Sequence, residues 1–101
     1  MKLYIDTSQR EEILISLDGE IFKTNSKKEK SQKLLPFIDE VLKKKKLTLK
    51  DLTEIKVDTG PGSFTGLKVG VSVAQALGFC LGIPVNGKDM KKGENIEIKY
   101  E

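Results

Sequence analysis

The sequence predicts an α/β fold built on one mixed sheet, and three observations support this. Apolar and polar residues alternate in three short segments within the first 23 positions, as they do in strands with one buried face. Two longer stretches, 31–45 and 66–82, have the spacing or composition of helices. Each is followed by a strand-like segment, and such strands run parallel to the first after a helical crossover. We therefore predict five strands: an antiparallel meander of the first three, with the first, fourth and fifth parallel.

The predicted meander occupies the start of the chain. Residues 2–6 and 12–17 alternate apolar and polar side chains. An Asp-Gly pair at 18–19 favours a tight hairpin turn. The returning strand is predicted over 20–23, with Ile21 on the same face as the apolar side chains of the second strand.

The rest of the predicted lobe alternates helices with strands. Residues 31–45 predict an amphipathic helix because apolar residues follow the spacing of one helical face. Pro36 fits if this helix begins within the preceding four residues. We predict a short helical turn over 48–52, a fourth strand over 54–58 and a fifth over 83–85.

A glycine-rich loop, residues 59–66 with the sequence Thr-Gly-Pro-Gly-Ser-Phe-Thr-Gly, separates the fourth strand from the second helix. Anions often bind where such a loop opens a helix, because the N–H groups of the first turn are unpaired. The alternative is a strand-to-helix turn with Ser63 or Thr65 as the N-cap. The loop has neither the glycine spacing nor the Lys-Ser/Thr pair of a Walker loop, and it lacks the dinucleotide fingerprint.

Five segments resemble the TsaB (YeaZ) family, and the glycine loop is the most specific of them. They are residues 5–8 (Ile-Asp-Thr-Ser), 34–39 (Leu-Leu-Pro-Phe-Ile-Asp), 59–70, 77–78 and 81–85. The resemblance implies that residues 1–86 form one lobe of the actin-like ATPase (ribonuclease-H-like) fold. Residues 87–101 would then be a tail, with a short edge strand over 95–100 protected by outward charges.

The resemblance also implies a function. A TsaB-like protein is a non-catalytic scaffold and dimerisation partner of the threonylcarbamoyl transferase subunit, TsaD, in tRNA threonylcarbamoyladenosine synthesis, and the small ATPase TsaE joins the assembly. The nucleotide site of that family is degenerate. We therefore expect no catalytic residues, no metal and no cofactor in this chain, with ATP or ADP and Mg²⁺ bound only in the assembled complex.

The chain departs from the family in several places. Lys68 stands where the family usually has arginine, and the sequence stops after one lobe where family members have two. The alternating tail favours a natural end, but the sequence leaves open a natural one-lobe protein or a shortened one. Self-association and pairing with the catalytic subunit also both remain open.

The second helix carries a stripe of small residues, one at every fourth position from Gly66 to Gly82. Such a stripe indicates that another backbone approaches closely, either the chain's own sheet or a partner helix. Apolar side chains also surround this helix over residues 67–81, and these 15 residues are too short for a membrane span. We therefore expect a protein interface and no membrane contact. The predicted interface residues are Leu34, Ile38, Leu42, Phe64, Leu67, Gly70, Val71, Ala74, Leu77 and Gly78.

A phosphate site is the first alternative function. The resemblance to actin-like ATPases implies that the end of the first strand and the glycine loop would contact phosphate; the other interpretation is that Asp6 and Ser8 only close a turn. The candidate phosphate-binding residues are Asp6, Thr7, Ser8, Gly60, Gly62, Ser63 and Thr65. With these residues the chain would be a degenerate nucleotide-binding module.

A lysine-rich segment suggests the second alternative, a tRNA-binding accessory. Residues 26–50 contain nine lysines and three acidic residues, although the chain as a whole carries a net charge of only +3. Such a cluster could attract phosphate, or it could be a solvated helix end. The candidate tRNA contacts are Lys43, Lys44, Lys45 and Lys46.

Composition excludes several classes of protein. With 38% hydrophobic and 33% charged residues, the 101-residue chain is typical of one globular domain. The sequence contains no histidine, which excludes histidine-based catalysis and histidine metal sites. Its single cysteine, Cys80, cannot form an internal disulfide and is predicted to be buried. The start of the chain shows no signal-peptide pattern, so we expect a cytoplasmic protein.

Overall fold

A computed structural model of the chain describes residues 1–26 and 29–99, and it confirms the mixed α/β fold. Four strands form one sheet in the order β3-β2-β1-β4. The meander β1–β2–β3 is antiparallel, and β4 pairs with β1 in parallel. The elements are β1 (Lys2–Asp6), β2 (Glu12–Leu17), β3 (Glu20–Asn25), α1 (Lys30–Lys44), β4 (Glu54–Val57) and α2 (Phe64–Leu81), with 3₁₀ turns at Leu49–Asp51 and Met90–Lys92.

The core lies between one face of the sheet and the two helices. The alternation seen in the sequence places Leu3 and Ile5 of β1 opposite Leu17 and Ile15 of β2, and all four are buried. Because side chains alternate across a strand, the polar partners of these residues point to the other face. Both helices cover the apolar face, so the opposite face of the sheet is open.

Helix α1 begins earlier than expected from its proline. The position of Pro36 in the sequence required the helix to begin within the four residues before it. It starts at Lys30, so Pro36 lies in the helix interior and not in its first turn. Pro36 is on the exposed side, where water can reach the carbonyl of Gln32 that loses its backbone donor. The buried side of the helix is formed by Leu34, Ile38, Val41 and Leu42.

The predicted fifth strand is reduced to one bridge. Val85 pairs in parallel with Ile55, but the next residue, Asn86, has a φ of 50° and leaves the sheet. The side chain of Asn86 continues the pairing in place of a backbone: its Oδ1 accepts from Val57 N at 2.9 Å, and its Nδ2 donates to Val57 O at 3.1 Å. The predicted strand 83–85 is therefore wrong as a full element, because a side chain caps the edge of β4.

The tail also differs from its prediction. Residues 95–99 form no strand, and Tyr100 lies outside the described residues. Ile96 is buried to 8% exposure, and Lys99 N donates to Thr59 O at 2.7 Å. A segment anchored by a side chain and one backbone bond crosses the molecule without forming the repeated ladder that defines a strand.

Strand β3 presents its residues in the opposite register from the prediction. Ile21 pairs with Ser16 on the open face and is 59% exposed, whereas Phe22 pairs with Ile15 and packs against the core. A shift of one residue exchanges the two faces of a strand. The tight turn at Asp18 and Gly19 sets this register.

Helix α2 is longer than predicted, with 18 residues, and by length and composition alone it could cross a membrane. In this structure seven of its residues are buried against the rest of the lobe. The same test is passed by the core helix of a compact domain, and α2 occupies that position here.

Candidate functional site

The glycine loop is a turn held by its own hydrogen bonds. Gly60 N donates to Asp58 Oδ1 at 3.1 Å, and the peptide bond between Gly60 and Pro61 is cis. Ser63 is the N-cap of α2, because its Oγ accepts from Gly66 N at 3.3 Å. The sequence allowed either Ser63 or Thr65 as the cap, and Thr65 lies within the first turn, exposed.

The segment after β1 is fastened to the same loop. Asp6 Oδ1 accepts from Ser8 N at 2.9 Å and from Ser8 Oγ at 2.6 Å. The hydroxyl of the fully buried Thr7 donates to Gly66 O, and Ser63 N donates to Ser8 O at 2.9 Å. The structure thus brings the predicted phosphate-binding residues together, but several of their polar groups serve to join the two segments.

The small-residue stripe faces the chain's own sheet. A Cβ on Gly70 would lie 2.5 Å from Thr7 Oγ1, and one on Gly62 would lie 2.6 Å from Ser8 Cβ. At Gly66 the obstacle is the backbone oxygen of Thr7, and at Gly78 it is the side chain of Val85. Of the two explanations that the sequence left open for the stripe, the structure supports close packing within the lobe.

This packing changes the predicted interface. Nine of its ten residues are buried within this lobe, and only Phe64, 45% exposed, lies at the surface. The set was predicted from apolar spacing, which cannot distinguish a face buried in the lobe from one buried by a partner. In this conformation the nine residues that do not reach the surface are Leu34, Ile38, Leu42, Leu67, Gly70, Val71, Ala74, Leu77 and Gly78.

The helices expose a different apolar surface, which we call the outer groove. A cavity of about 450 Å³ runs along the outside of α2 next to Ser31 of α1. Phe64 lies at the first turn of α2, and Phe79, 56% exposed, lies near its last. The residues of α2 that line the cavity are Thr65, Lys68, Val69, Ser72, Val73 and Ala76.

A second, polar cavity of about 300 Å³ lies beside the N-terminus of α2. Arg10 and Lys30 supply two cationic side chains, and Ser63 and Thr65 also line it. Lys30 Nζ donates to Thr7 O at 3.2 Å and also to the Gln9 carbonyl. Sequence reasoning missed Arg10 and Lys30, because only the fold brings them next to the loop.

Burial lowers the pKa of Lys30, while the nearby carboxylates of Asp6 and Glu12 act in the opposite direction. The ammonium group is thus partly desolvated where it holds the segment after β1. Among the described residues, no group of three or more histidine, cysteine, aspartate or glutamate side chains could hold a metal ion.

The lysine cluster at the end of α1 is largely ion-paired. Lys43 Nζ lies 3.0 Å from Asp39, Lys44 Nζ 3.6 Å from Glu40, and Lys45 Nζ 2.7 Å from Glu20. These pairs are exposed and each contributes little to stability. Asp39 and Glu40 belong to the three acidic residues already counted in the segment, so only Glu20 is an additional negative charge and the segment stays positive.

Cys80 is exposed, contrary to the prediction of a buried thiol. The apolar sequence around it suggested burial, but its position on the last turn of α2 faces away from the sheet. Phe79, its neighbour in sequence, is exposed as well.

Tyr4, on the open face of the sheet, provides a prediction about pH. Burial raises the pKa of Tyr4, and the carboxylates of Asp6 and Asp58 raise it further. The folded state therefore keeps the phenol proton to a higher pH than the unfolded chain does. The protonated phenol of Tyr4 therefore contributes to the free energy of unfolding. This contribution is complete below the ordinary tyrosine pKa of about 10 and is lost as pH rises through the pKa of Tyr4 in the folded state. Phenolate absorbance should show a late transition that Tyr4→Phe removes.

Tyr100→Phe is the matched control for this titration, because it removes the other tyrosine of the chain. The late transition should persist in that variant. A late transition lost from Tyr100→Phe and kept in Tyr4→Phe would contradict the assignment.

Comparison with known proteins identifies the family. The family model described as TsaD, tRNA N6-adenosine threonylcarbamoyltransferase, matches residues 12–87. The chain belongs to this family. The predicted resemblance to TsaB (YeaZ) is also confirmed, since similar curated proteins carry the name tRNA threonylcarbamoyladenosine biosynthesis protein TsaB.

Two of these TsaB relatives show the extent of the similarity. The protein from Buchnera aphidicola subsp. Schizaphis graminum is 46% identical over 63 residues, which cover 62% of this chain and 30% of the relative. The protein from Escherichia coli K12 is 33% identical over 60 residues, covering 59% of this chain and 26% of the relative. The matched region thus spans less than a third of these relatives.

A solved structure supports the fold over a longer region. YeaZ from Pseudomonas aeruginosa superposes with a TM-score of 0.71 and 29% identity, over 83% of this chain and 41% of that protein. The TsaB-like lobe of this chain is therefore similar in fold to less than half of YeaZ.

Proposed function

We propose that this TsaB-like chain is a non-catalytic scaffold in tRNA threonylcarbamoyladenosine synthesis. The single observation that carries the proposal is the exposed face of α2, where Val69 and Val73 line the outer groove and Phe64 and Phe79 are exposed near the two ends of the helix. Contiguous exposed apolar surface marks interaction sites in soluble proteins. The names of the TsaB relatives supply the pathway.

The outer groove suits a partner helix. Val69, Val73 and Ala76 line it at helical spacing along α2, so the apolar strip runs parallel to the helix axis. Phe64 and Phe79 would act as anchors at the ends, and aromatic residues dominate the binding energy of many interfaces. The partner in this proposal is a TsaD-like catalytic subunit or a second copy of the chain, with a TsaE-like ATPase joining the assembly.

A charge at Phe79, on the exposed face of α2 beyond the residues that line the outer groove, tests the scaffold proposal. Phe79→Glu should weaken association with the TsaD-like subunit of the same cell by about 30-fold or more, because loss of an interface anchor costs about 2 kcal/mol or more. Light scattering on the separate and mixed proteins measures this. At the same protein concentration, we expect the TsaD-like subunit to be active in threonylcarbamoyl transfer with the unmodified chain and inactive with Phe79→Glu.

Ile21→Glu is the matched control, because Ile21 is exposed to a similar degree and lies on β3, outside the outer groove. This variant should associate normally. Equal loss of association in both variants, or in neither, would reject the outer groove as the docking surface.

The two other functions proposed from the sequence are less well supported. For nucleotide binding, the hydroxyl groups of Thr7, Ser8 and Ser63 already form hydrogen bonds within the lobe. The groups that could still bind a phosphate are the cationic side chains of Arg10 and Lys30 in the polar cavity. For tRNA binding, Lys43, Lys44 and Lys45 each already form an exposed ion pair within the lobe. We retain only a weak tRNA contact and a cytoplasmic location as parts of the proposal.

A further inference from the structure

Residues 88–99 cross the lobe outside the region that the family model matches, which ends at residue 87. The first part of this segment is folded on itself. Asp89 N donates to Glu94 Oε1 at 2.6 Å, and Lys88 Nζ donates to Asn95 O at 3.0 Å. Met90, 8% exposed, anchors it near the C-terminal end of α2, where it approaches Gly78.

The second part of the segment reaches the glycine loop. Ile96, 8% exposed, belongs to the apolar core, and Lys99 N donates to Thr59 O at 2.7 Å. Lys99 O lies so close to Gly60 that a Cβ there would be 2.7 Å away. The exposed side chains of this part, Glu97 and Lys99, face water. The segment is thus anchored near both ends of α2.

We propose that residues 88–99 are a strap that controls the opening of the glycine loop. Ile96 holds the strap to the core, and the backbone of Lys99 holds Thr59 and Gly60 at the start of the loop. Because the loop also caps α2 through Ser63, release of the strap frees the end of the helix that carries Phe64. This role does not depend on the proposed scaffold function.

Local opening distinguishes a strap from an ordinary part of the core. A segment held by few contacts opens with a lower free energy than the global unfolding of the domain. If residues 88–99 are a strap, the loop amides should exchange through this partial opening, with a lower opening free energy than the amides of the central strands, and weakening the anchor should accelerate them. If the segment opens only with the core, loop and strands should have the same opening free energy.

Native-state hydrogen exchange of the full chain, followed by NMR, makes this test. In the unmodified chain the Gly60 and Ser63 amides should open with a lower free energy than those of Leu3 and Ile5 in β1, and Ile96→Asp should accelerate exchange of the two loop amides by about tenfold or more. Glu97→Ala, an exposed change in the same segment, is the control and should alter none of these rates.

Two results would overturn the proposal. Unchanged exchange at Gly60 and Ser63 would mean that the segment does not restrain the loop. Equal opening free energies of the loop and β1 amides in the unmodified chain would mean that the loop opens only by global unfolding. If Ile96→Asp does not fold, Ile96→Ala is measured against the same two criteria.

Discussion

Gly66→Ala is expected to destabilise the lobe by about 2 kcal/mol, although alanine is the better helix former. Within a helix, alanine is favoured over glycine by about 1 kcal/mol. Here the added Cβ would overlap the backbone oxygen of Thr7, which cannot rotate away as a side chain could. Overpacking of this kind costs about 3 kcal/mol when the neighbouring atoms are fixed. Urea unfolding, followed by circular dichroism, measures the difference.

Ser72→Ala is the control for Gly66→Ala, because Ser72 lies on the exposed side of the same helix. It should leave stability unchanged or raise it slightly. A Gly66→Ala protein as stable as the unmodified chain would show that β1 and α2 can separate without cost.

Gly70→Leu should also unfold the lobe, because Thr7 Oγ1 occupies the space that the new side chain needs. If the stripe faced a partner, this change would only block association.

Asn86→Gly is expected to destabilise the lobe by about 1–3 kcal/mol. The change removes the amide that pairs with both backbone groups of Val57, a residue only 4% exposed, and unpaired buried polar groups carry a cost of that order. Glycine accepts the positive φ of this position without strain, so the loss contains the hydrogen bonds and the greater backbone entropy of glycine in the unfolded chain. The midpoint of urea unfolding gives the value.

Asn86→Ala completes the comparison, because it loses the same bonds and adds the strain of a Cβ at positive φ. It should be less stable than Asn86→Gly by about 1 kcal/mol. If Asn86→Gly were as stable as the unmodified chain, water would replace the amide at the β4 edge without cost, and the side chain would not be the cap.

Most of the sheet and both helices were predictable from the sequence, because their signals are local. Alternation in β1 and β2 and the Asp-Gly turn depend on neighbouring residues. The fifth strand failed for a non-local reason: Asn86 satisfies Val57 from 29 positions away in the sequence. The prediction of an edge strand in the tail was wrong over residues 95–99 for a similar reason. The alternation of its side chains resembles that of a strand, but the burial of Ile96 depends on the assembled core.

The two segments that form the candidate site were predictable from the sequence, but the apolar surface that α2 exposes was not. The resemblance to actin-like ATPases implied that the segment after β1 and the glycine loop lie together, and the hydrogen bond from Thr7 to Gly66 O joins them. The sequence left open whether the small-residue face of α2 packs on the sheet or on a partner, and the predicted interface included that face, because spacing does not reveal which neighbour requires the space. The outer groove could have been found only by asking which apolar residues remain once the sheet is covered.

The exposure of Cys80 has a practical consequence for work on this chain. A maleimide dye would attach at one known position, since no other thiol competes for it, and the dye would sit next to Phe79. Its fluorescence would then report directly on whatever covers that end of α2. The same thiol can be oxidised in air to a covalent pair of chains, so any solution mass that suggests a dimer has meaning only in the presence of a reductant.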